Sequence, residues 1–326
     1  MKKFLVVGLI YFSFIRCSNE IDIHVNLGYL PVVYCILNLN SETQHVRVSR
    51  TYRSDSENTG KPPVSDSLII REPCEIYIEK WSDEKLVETY LFTKTGNSKD
   101  SGFFPVQGQE TYSSNFHAQP LTRYLLYVYF PDINKVVSGV TLTTSYPVSE
   151  DPKPDLPRSI TITRERGYTA RWFTVRQAGI YQGVFSLIYL ESLGEGTTFH
   201  SIQWFLPNVL NDRPDELITQ EINPKRFFDR LVQGIPVIPD IQRELVGVEF
   251  TLIAGGEEIG LSLRTSDIQG FSTSSDYTNL DNGIGLFSSI ARTHVRNLVF
   301  SNLTEDAICT DPELKFLNFK KSGSHE

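Results

Sequence analysis

One cysteine in this chain is placed for chemistry. Lys2 and Lys3 are followed by an uncharged apolar run of 12 residues, Phe4 to Ile15, then Arg16, Cys17 and the short polar stretch Ser18-Asn19-Glu20-Ile21-Asp22. A bilayer-spanning helix needs about 20 apolar residues, so this run reads as an export leader. A cysteine just past such a run is where a bacterial lipoprotein is cleaved and its thiol acylated. Residues 1–16 are then the signal peptide, Cys17 the lipid-attachment site, and 17–22 the tether. Each buried CH2 of an acyl chain such as palmitate contributes about 0.8 kcal/mol, and stable anchoring takes more than one chain. Arg16 departs from the small residue usual before the cysteine. Two other readings of the leader stay open: an ordinary signal peptide cut nearby, or a buried N-terminal strand. No A-x-A-like cleavage site competes.

The remaining chemistry-bearing residues are less organised. Acyl-transfer chemistry needs a serine on a tight turn with a base in reach, and there is no G-x-S-x-G. The six histidines (His24, His45, His117, His200, His294, His325) sit in unrelated contexts, and neither H-E-x-x-H nor C-x-x-C occurs. The expectation is therefore a non-enzymatic chain with no cofactor and no metal. Asp276, Asn279, Asp281 and Asn282 offer the oxygen atoms calcium prefers, but without EF-hand spacing, and Asn282-Gly283 reads better as a tight reversal. Gly283-Ile284-Gly285-Leu286-Phe287 lacks the lysine and the helix of a phosphate loop, so its glycines are expected to allow close packing beside a buried Phe287.

Arg164 to Arg176 mixes arginines with Tyr168, Trp172 and Phe173. It reads either as a hairpin with solvated arginines and a core aromatic, or as a platform for a glycan or peptide ligand. In the second reading, rings stack on the ligand and guanidinium groups bond to it. The candidate ligand-binding residues are Trp81, Arg171, Trp172 and Trp204.

Composition narrows the partners. The 326 residues carry a formal charge of −8, which becomes −11 once Lys2, Lys3 and Arg16 of the leader are set aside. A chain this acidic repels nucleic acid and anionic lipid head groups. Hydrophobic residues at 40% and aromatics at 12% suffice for real cores, and the wealth of Phe and Tyr favours strands. Beyond Cys17 there remain Cys35, Cys74 and Cys309. Cys35 and Cys74 are the plausible pair for a bridge, with buried free thiols as the alternative.

The elements that must position these residues are mostly strands. His45–Ser49, Glu75–Glu79 and Gly139–Thr143 alternate with period two, which would turn Val46, Val48, Ile76, Ile78, Val140 and Leu142 towards a core. Leu125–Phe130 (LLYVYF) is apolar throughout, as for a strand covered on both faces. Asn58-Thr59-Gly60 and Lys61-Pro62-Pro63 mark loops, and Asp83-Glu84-Lys85 a turn. Residues 23–145 are thus expected to form an immunoglobulin-like or transthyretin-like β-sandwich. Residues 146–157 (YPVSEDPKPDLP) read as a Pro-rich linker.

Residues 158–319 read as a second β-rich domain, with strands at 159–163, 168–175, 183–190, 199–206, 246–253, 257–264, 297–300 and 315–319. One short helix is expected after Asn223, with Pro224 at its first turn, an apolar face of Phe227, Phe228, Leu231 and Val232, and Gly234 as its stop. A helical turn is expected near Thr304–Ile308, and 320–326 reads as a flexible tail.

The leader with Cys17, Pro31-Val32-Val33-Tyr34, Val46-Arg47-Val48-Ser49-Arg50, Tyr277-Thr278-Asn279, Gly283-Ile284-Gly285-Leu286-Phe287-Ser288-Ser289 and Leu317-Asn318-Phe319 together resemble one family. It is an uncharacterised group of Bacteroidota outer-membrane lipoproteins, of the domain of unknown function 4249 type. The resemblance spans most of the chain, and its motifs are short and none is catalytic. It implies a β-sandwich followed by a β-rich domain, and an outer-membrane, lipid-anchored location. Glu20 and Asp22 loosely fit the acidic stretch that sends such proteins to the cell surface. It further implies a binding or accessory role beside a TonB-dependent outer-membrane transporter. Rival readings are a glycan-binding lipoprotein, an adhesin that engages protein through a sheet edge, and a hydrolase with an unrecognised site.

Overall fold

The computed structural model describes residues 29–51, 70, 72–95, 110–154, 158–194, 196–268 and 277–321. The leader, Cys17 and its tether, the loops at 58–63, Asp276, His24 and His325 lie outside the described residues. Strand formation dominates, as the composition implies.

The first half supplies β1 (Pro31–Asn38), β2 (Thr43–Arg50), β3 (Glu75–Ser82), β4 (Lys85–Thr95), β5 (Glu110–Asn115), β6 (Arg123–Phe130), β7 (Lys135–Leu142) and β8 (Val148–Asp151). Then come β9 (Ser159–Ile160), β10 (Tyr168–Phe173), β11 (Ala178–Leu193), β12 (Gly196–Phe205), β13 (Val209–Leu210), β14 (Leu217–Ile222) and helix α1 (Pro224–Gly234). β15 (Gln242–Gly256), helix α2 (Glu257–Ile268), β16 (Leu280–Asp281), β17 (Ile284–Phe300), helix α3 (Asn302–Thr310) and β18 (Phe319–Lys320) complete the order.

Among the described residues fifteen strands join one sheet, with the path β12-β11-β15-β17-β1-β2-β5-β4-β3-β6-β7-β16, while β14, β10 and β8 form a second sheet. β17 is the hinge of the path. Its first half pairs in parallel with β1, Val32 opposite Ile284 through Asn38 opposite Ile290. Its second half pairs antiparallel with β15, Gly255 opposite Ile290 through Val248 opposite Leu298. The fold therefore has two apolar cores served by one shared strand.

The first core gathers Val33, Cys35, Val46, Val48, Ile76, Ile78, Leu126 and Val128. Fully burying each such aliphatic side chain stabilises by roughly 1.5–3 kcal/mol. Leu280, Phe287 and Ala291 complete this core although they belong to the 158–319 span. The two cores are thus not two consecutive stretches of chain. The second core is built on Phe185, Leu187, Phe250 and Leu252 from the long strands, with α1 laid across it.

Local expectations fare unevenly. The helix after Asn223 forms as read: the Asn223 side chain accepts from the Arg226 N–H, Pro224 opens the first turn, and Phe227, Phe228 and Leu231 are buried. Val232 is exposed instead, because it lies just off the buried stripe. The Asp83-Glu84 turn holds, both residues taking the left-handed backbone that a tight β3–β4 reversal requires.

Residues 257–264, expected as a strand from alternating Ile259, Leu261 and Leu263, are helical. Gly255 and Gly256 end β15, and Gly260 lies against β11. A Cβ at Gly260 would stand 2.6 Å from the Gly179 carbonyl oxygen, an approach that brings helix and strand backbones together. The 146–157 segment is not a bare linker. Its prolines, at 147, 152, 154 and 157, all fall outside Val148–Asp151, so that stretch is free to pair with β10. Residues 315–317 form a 3-10 turn rather than a strand. The expected tail is partly tied down, since Lys320 of β18 pairs with Glu244 of β15 and its Nζ donates to Gln242 at 2.9 Å.

Cys35 and Cys74 are both buried free thiols, so the bridge does not form. Burial pushes the Cys35 thiol pKa up, and that of Cys74 up to about 12, so both stay protonated as core fillers. Among the described residues, no helix is long and apolar enough to cross a membrane.

Candidate functional site

The four sequence candidates do not meet in one place. Trp172, on β10, is 0% exposed, and its indole N–H is buried without a hydrogen-bond partner. Trp204, on β12, is 8% exposed, stacks on Phe227 at 4.8 Å and donates to the Phe227 carbonyl at 3.3 Å. Both are core residues and neither can stack on a ligand from solvent. Alternation along β10 and β12 sends these rings inward, a phase that tryptophan alone does not reveal.

Arg171 is half-exposed and bonds to Asp151 at 3.3 Å, while Asp151 also accepts from Tyr168 at 2.7 Å and pairs with Arg158. Arg164, expected in solvent, bridges Asp311 at 2.5 Å and Glu313 at 2.8 Å and lies over the Phe228 ring. Arg171 and Arg164 are thus held in ion pairs within the chain. Of the three tryptophans Trp81 alone remains partly open, its indole donating to Glu79 at 2.9 Å.

Trp81 belongs to a larger surface that sequence reading missed. Ile76, Ile78, Phe92, Leu126, Val128 and Val137 face the first core, so the opposite phase of the same strands faces out. That outer phase is also apolar. Cross-strand register aligns Leu91 of β4 with Tyr77 of β3, and Tyr77 with Tyr127 of β6. It also aligns Leu125 of β6 with Val140 of β7, and Tyr129 with Val136. Tyr77 and Tyr127 stack at 4.8 Å.

At the β4 end a register shift between Lys80 and Trp81 leaves Leu86 and Val87 exposed next to Trp81. Leu91 is 72% exposed, and Val136, Val140 and Leu142 are exposed too. Glu75, Glu79 and Arg123 are the charged residues set into this face by the same register. The LLYVYF run, expected to be covered on both sides, is covered on one. A legible signal existed: apolar residues occur in both phases of neighbouring strands, which a one-sided sandwich does not need.

β7 inverts the expected phase, with Val137, Gly139 and Thr141 inward and Val140 and Leu142 outward. Its inner side meets Leu280 and α2 rather than a wholly apolar layer. There Glu258 accepts from the Thr141 hydroxyl at 3.0 Å and from the Ser288 hydroxyl at 2.7 Å. Burial raises the Glu258 pKa above the usual carboxylate range against the lowering effect of these donors. The unfolded chain therefore gives up this proton more readily than the folded one. Stability from this residue is full below the ordinary carboxylate range and falls as pH rises through the raised folded value. Glu258→Gln is expected to remove that fall, read as Tm against pH; parallel profiles for the two proteins would show that Glu258 does not titrate with folding.

On the other side of α2, Gly179, Asp212, Glu257, Gly260, Leu261 and Arg264 line a cleft of about 220 Å³. Arg264 closes part of it by pairing with Asp212 at 3.0 Å. The oxygen-rich turn is likewise committed to structure. The Asn279 side chain donates to the Phe287 carbonyl at 2.7 Å and accepts from its N–H at 2.9 Å, and Asn282 donates to the Val136 carbonyl at 3.1 Å. Asn282 takes the positive φ expected of the reversal.

Among the described residues one hydroxyl–imidazole–carboxylate trio occurs: His200 Nε2 lies 2.9 Å from Thr198 Oγ1 and 3.1 Å from Glu191 Oε2. Both contacts fall on the same nitrogen, whereas a relay needs one partner on each. The trio reads as a cross-strand polar contact.

No family model matches the chain, and no curated protein matches it. Among solved structures it is similar to the C-terminal globular domain of an oligosaccharyltransferase from Pyrococcus abyssi (TM-score 0.26, 11% identity, 82% of this chain and 49% of that one). It is also similar to the secreted serine protease VesC from Vibrio cholerae (TM-score 0.17, 8% identity, 58% and 43%). A third similarity is to CBD12 from CALX1.2 (TM-score 0.17, 10% identity, 81% and 99%). The chain spans about half the length of the first and less than half of the second. At these TM-scores none of the three bears on fold or function.

Proposed function

We propose that this chain is an envelope lipoprotein, held at the outer membrane through acylated Cys17, that acts as a non-enzymatic binding or accessory subunit beside an outer-membrane transporter. The observation that carries the binding role is the outer face of β3, β4, β6 and β7. A sheet face with Leu86, Val87, Leu91, Val136, Val140 and Leu142 in solvent is costly to leave uncovered, and such patches mark surfaces that engage a partner. The anchor itself rests on the leader sequence and its family resemblance.

Cys17→Ala is expected to move the protein from the membrane fraction to the soluble periplasmic fraction. Continued membrane association would overturn the anchor. With the anchor intact, recovery from detergent-solubilised outer membrane should bring a partner with the unmodified chain and lose it with Leu91→Asp plus Val140→Asp. Recovery of the chain alone in both cases would overturn the accessory role.

A glycan ligand is the second reading, favoured by the aromatic residues of this face. Trp81, Tyr77, Tyr127 and Tyr129 share it with Glu79 and Arg123, a set that offers ring faces and hydrogen-bonding groups together. Retention on a glycan array that Trp81→Ala abolishes would favour it over a protein partner.

A further inference from the structure

The far end of the long sheet carries a second surface. β12 ends the strand path and pairs with β11 alone among the described residues. The Leu206 N–H donates to the Gly183 carbonyl at 2.8 Å, in register with the β11–β12 ladder, and this sets the hydrogen-bonding phase. Thr198, His200, Ile202 and Trp204 turn their backbone groups to β11, while Thr197, Phe199, Ser201, Gln203 and Phe205 turn theirs outward.

Edges of this kind are usually guarded by lysine, proline or inward charge. From Gly196 to Phe205 there is no Lys, Arg, Asp, Glu or Pro. Phe199 and Phe205 are instead 71% and 61% exposed on one face of the strand.

We propose that two copies of this chain pair antiparallel through β12, about a two-fold axis at Ile202, so that the two long sheets run on as one. In that register Phe199 stands opposite Phe205 of the second copy, and Ser201 opposite Gln203. All four positions carry outward-facing backbone groups, so every N–H meets a C=O. Centring the pair between residues would set outward groups against inward ones. Centring it on Ser201 satisfies the backbone but parts the phenylalanines, which are the cross-strand contact with most to gain.

Charge favours a second copy at this strand in particular. The chain carries a formal charge of −8, so two copies repel, and β12 is an uncharged strip along which they can meet. The Arg230 side chain now donates to the outward Gln203 carbonyl at 3.3 Å from the solvent-exposed side of α1. It fills the place that the Ser201 N–H of the second copy would take. The outer face of β3, β4, β6 and β7 lies towards the other end of the strand path, so this pairing leaves it free.

Sedimentation equilibrium of the full chain in density-matched detergent tests the pairing. Twice the single-chain mass is expected, falling to the single-chain mass for Phe199→Lys with Phe205→Lys at unchanged far-UV circular dichroism. Phe199→Leu and Arg230→Ala should both keep the double mass. Mixed samples carrying Phe199→Cys and Phe205→Cys should give a 199–205 product with a short dithiol-reactive linker. A single-chain mass up to about 100 μM, a double mass indifferent to the two lysines, or an edge that takes up other proteins but never a second copy would each overturn the proposal.

Discussion

Gly285→Ala is expected to cost about 4 kcal/mol or more, enough to remove most of the stability of an ordinary domain. Gly285 has φ +126, where side chains are rarely tolerated, and a Cβ there would lie 1.9 Å from the Val33 carbonyl oxygen. Val33 is its register partner in the parallel β1–β17 ladder. Alanine could fit only if that ladder opened, which would expose Val33, Cys35 and Phe287, all fully buried in the first core. Gly194→Ala is the matched control. Gly194 also has positive φ, with nothing within 4 Å of its Cβ position, so it should lose only about 1 kcal/mol of backbone preference. Urea unfolding of the two variants separates steric from conformational cost. Equal losses would mean that the β1–β17 contact is dispensable.

Arg243→Ala is expected to destabilise by about 3–5 kcal/mol, the range for breaking one partner out of a buried ion pair. The Arg243 side chain is 0% exposed. Its Nε donates to Glu191 at 2.8 Å, Nη1 to the Leu317 carbonyl at 2.8 Å and Nη2 to the Pro236 carbonyl at 2.8 Å. One guanidinium thereby ties β15 to β11, to the turn after α1 and to the C-terminal segment. Removing it leaves the Glu191 carboxylate with its His200 contact alone and takes a donor from the Leu317 and Pro236 carbonyls. Glu191→Gln keeps a neutral acceptor and should cost less, about 1–2 kcal/mol. The double variant Arg243→Met with Glu191→Leu should recover much of the loss, because an apolar pair has no charge to desolvate. Chemical denaturation of the unmodified chain and the three variants gives the comparison. A double variant no better than Arg243→Ala would mean that the packing of the guanidinium, and not its charge, sets the cost.

Neither residue advertised itself. Gly285 sat in a glycine pair whose expected role, close packing beside Phe287, holds, but its partner Val33 lies some 250 residues away in sequence and only the β1–β17 register names it. Arg243 lies outside every strand expected from the sequence, three residues before the one at 246–253. The strand content, the Asn223 helix cap and the Asp83-Glu84 turn were legible because neighbouring residues decide them. The phase of β7, the helix at 257–268 and the inward rings of Trp172 and Trp204 were not.

Alternation states that a strand has two faces and leaves open which one meets the core. In β7 that choice fell to Leu280 and Glu258, residues from another part of the chain. The apolar outer face of β3, β4, β6 and β7 was hidden for the same reason: each strand taken alone looked doubly covered or one-sided.

By itself, then, the sequence determined the class of structure, mainly β with a capped helix, and singled out Cys17 for the proposed lipid anchor. Local propensity, turn residues and the apolar leader are short-range properties and can be read in order. The tertiary structure alone decided that one strand, β17, serves both cores and which aromatics are interior. It also decided which apolar face and which strand edge are exposed among the described residues. Those are outcomes of long-range register, where a shift of one residue exchanges inside for outside.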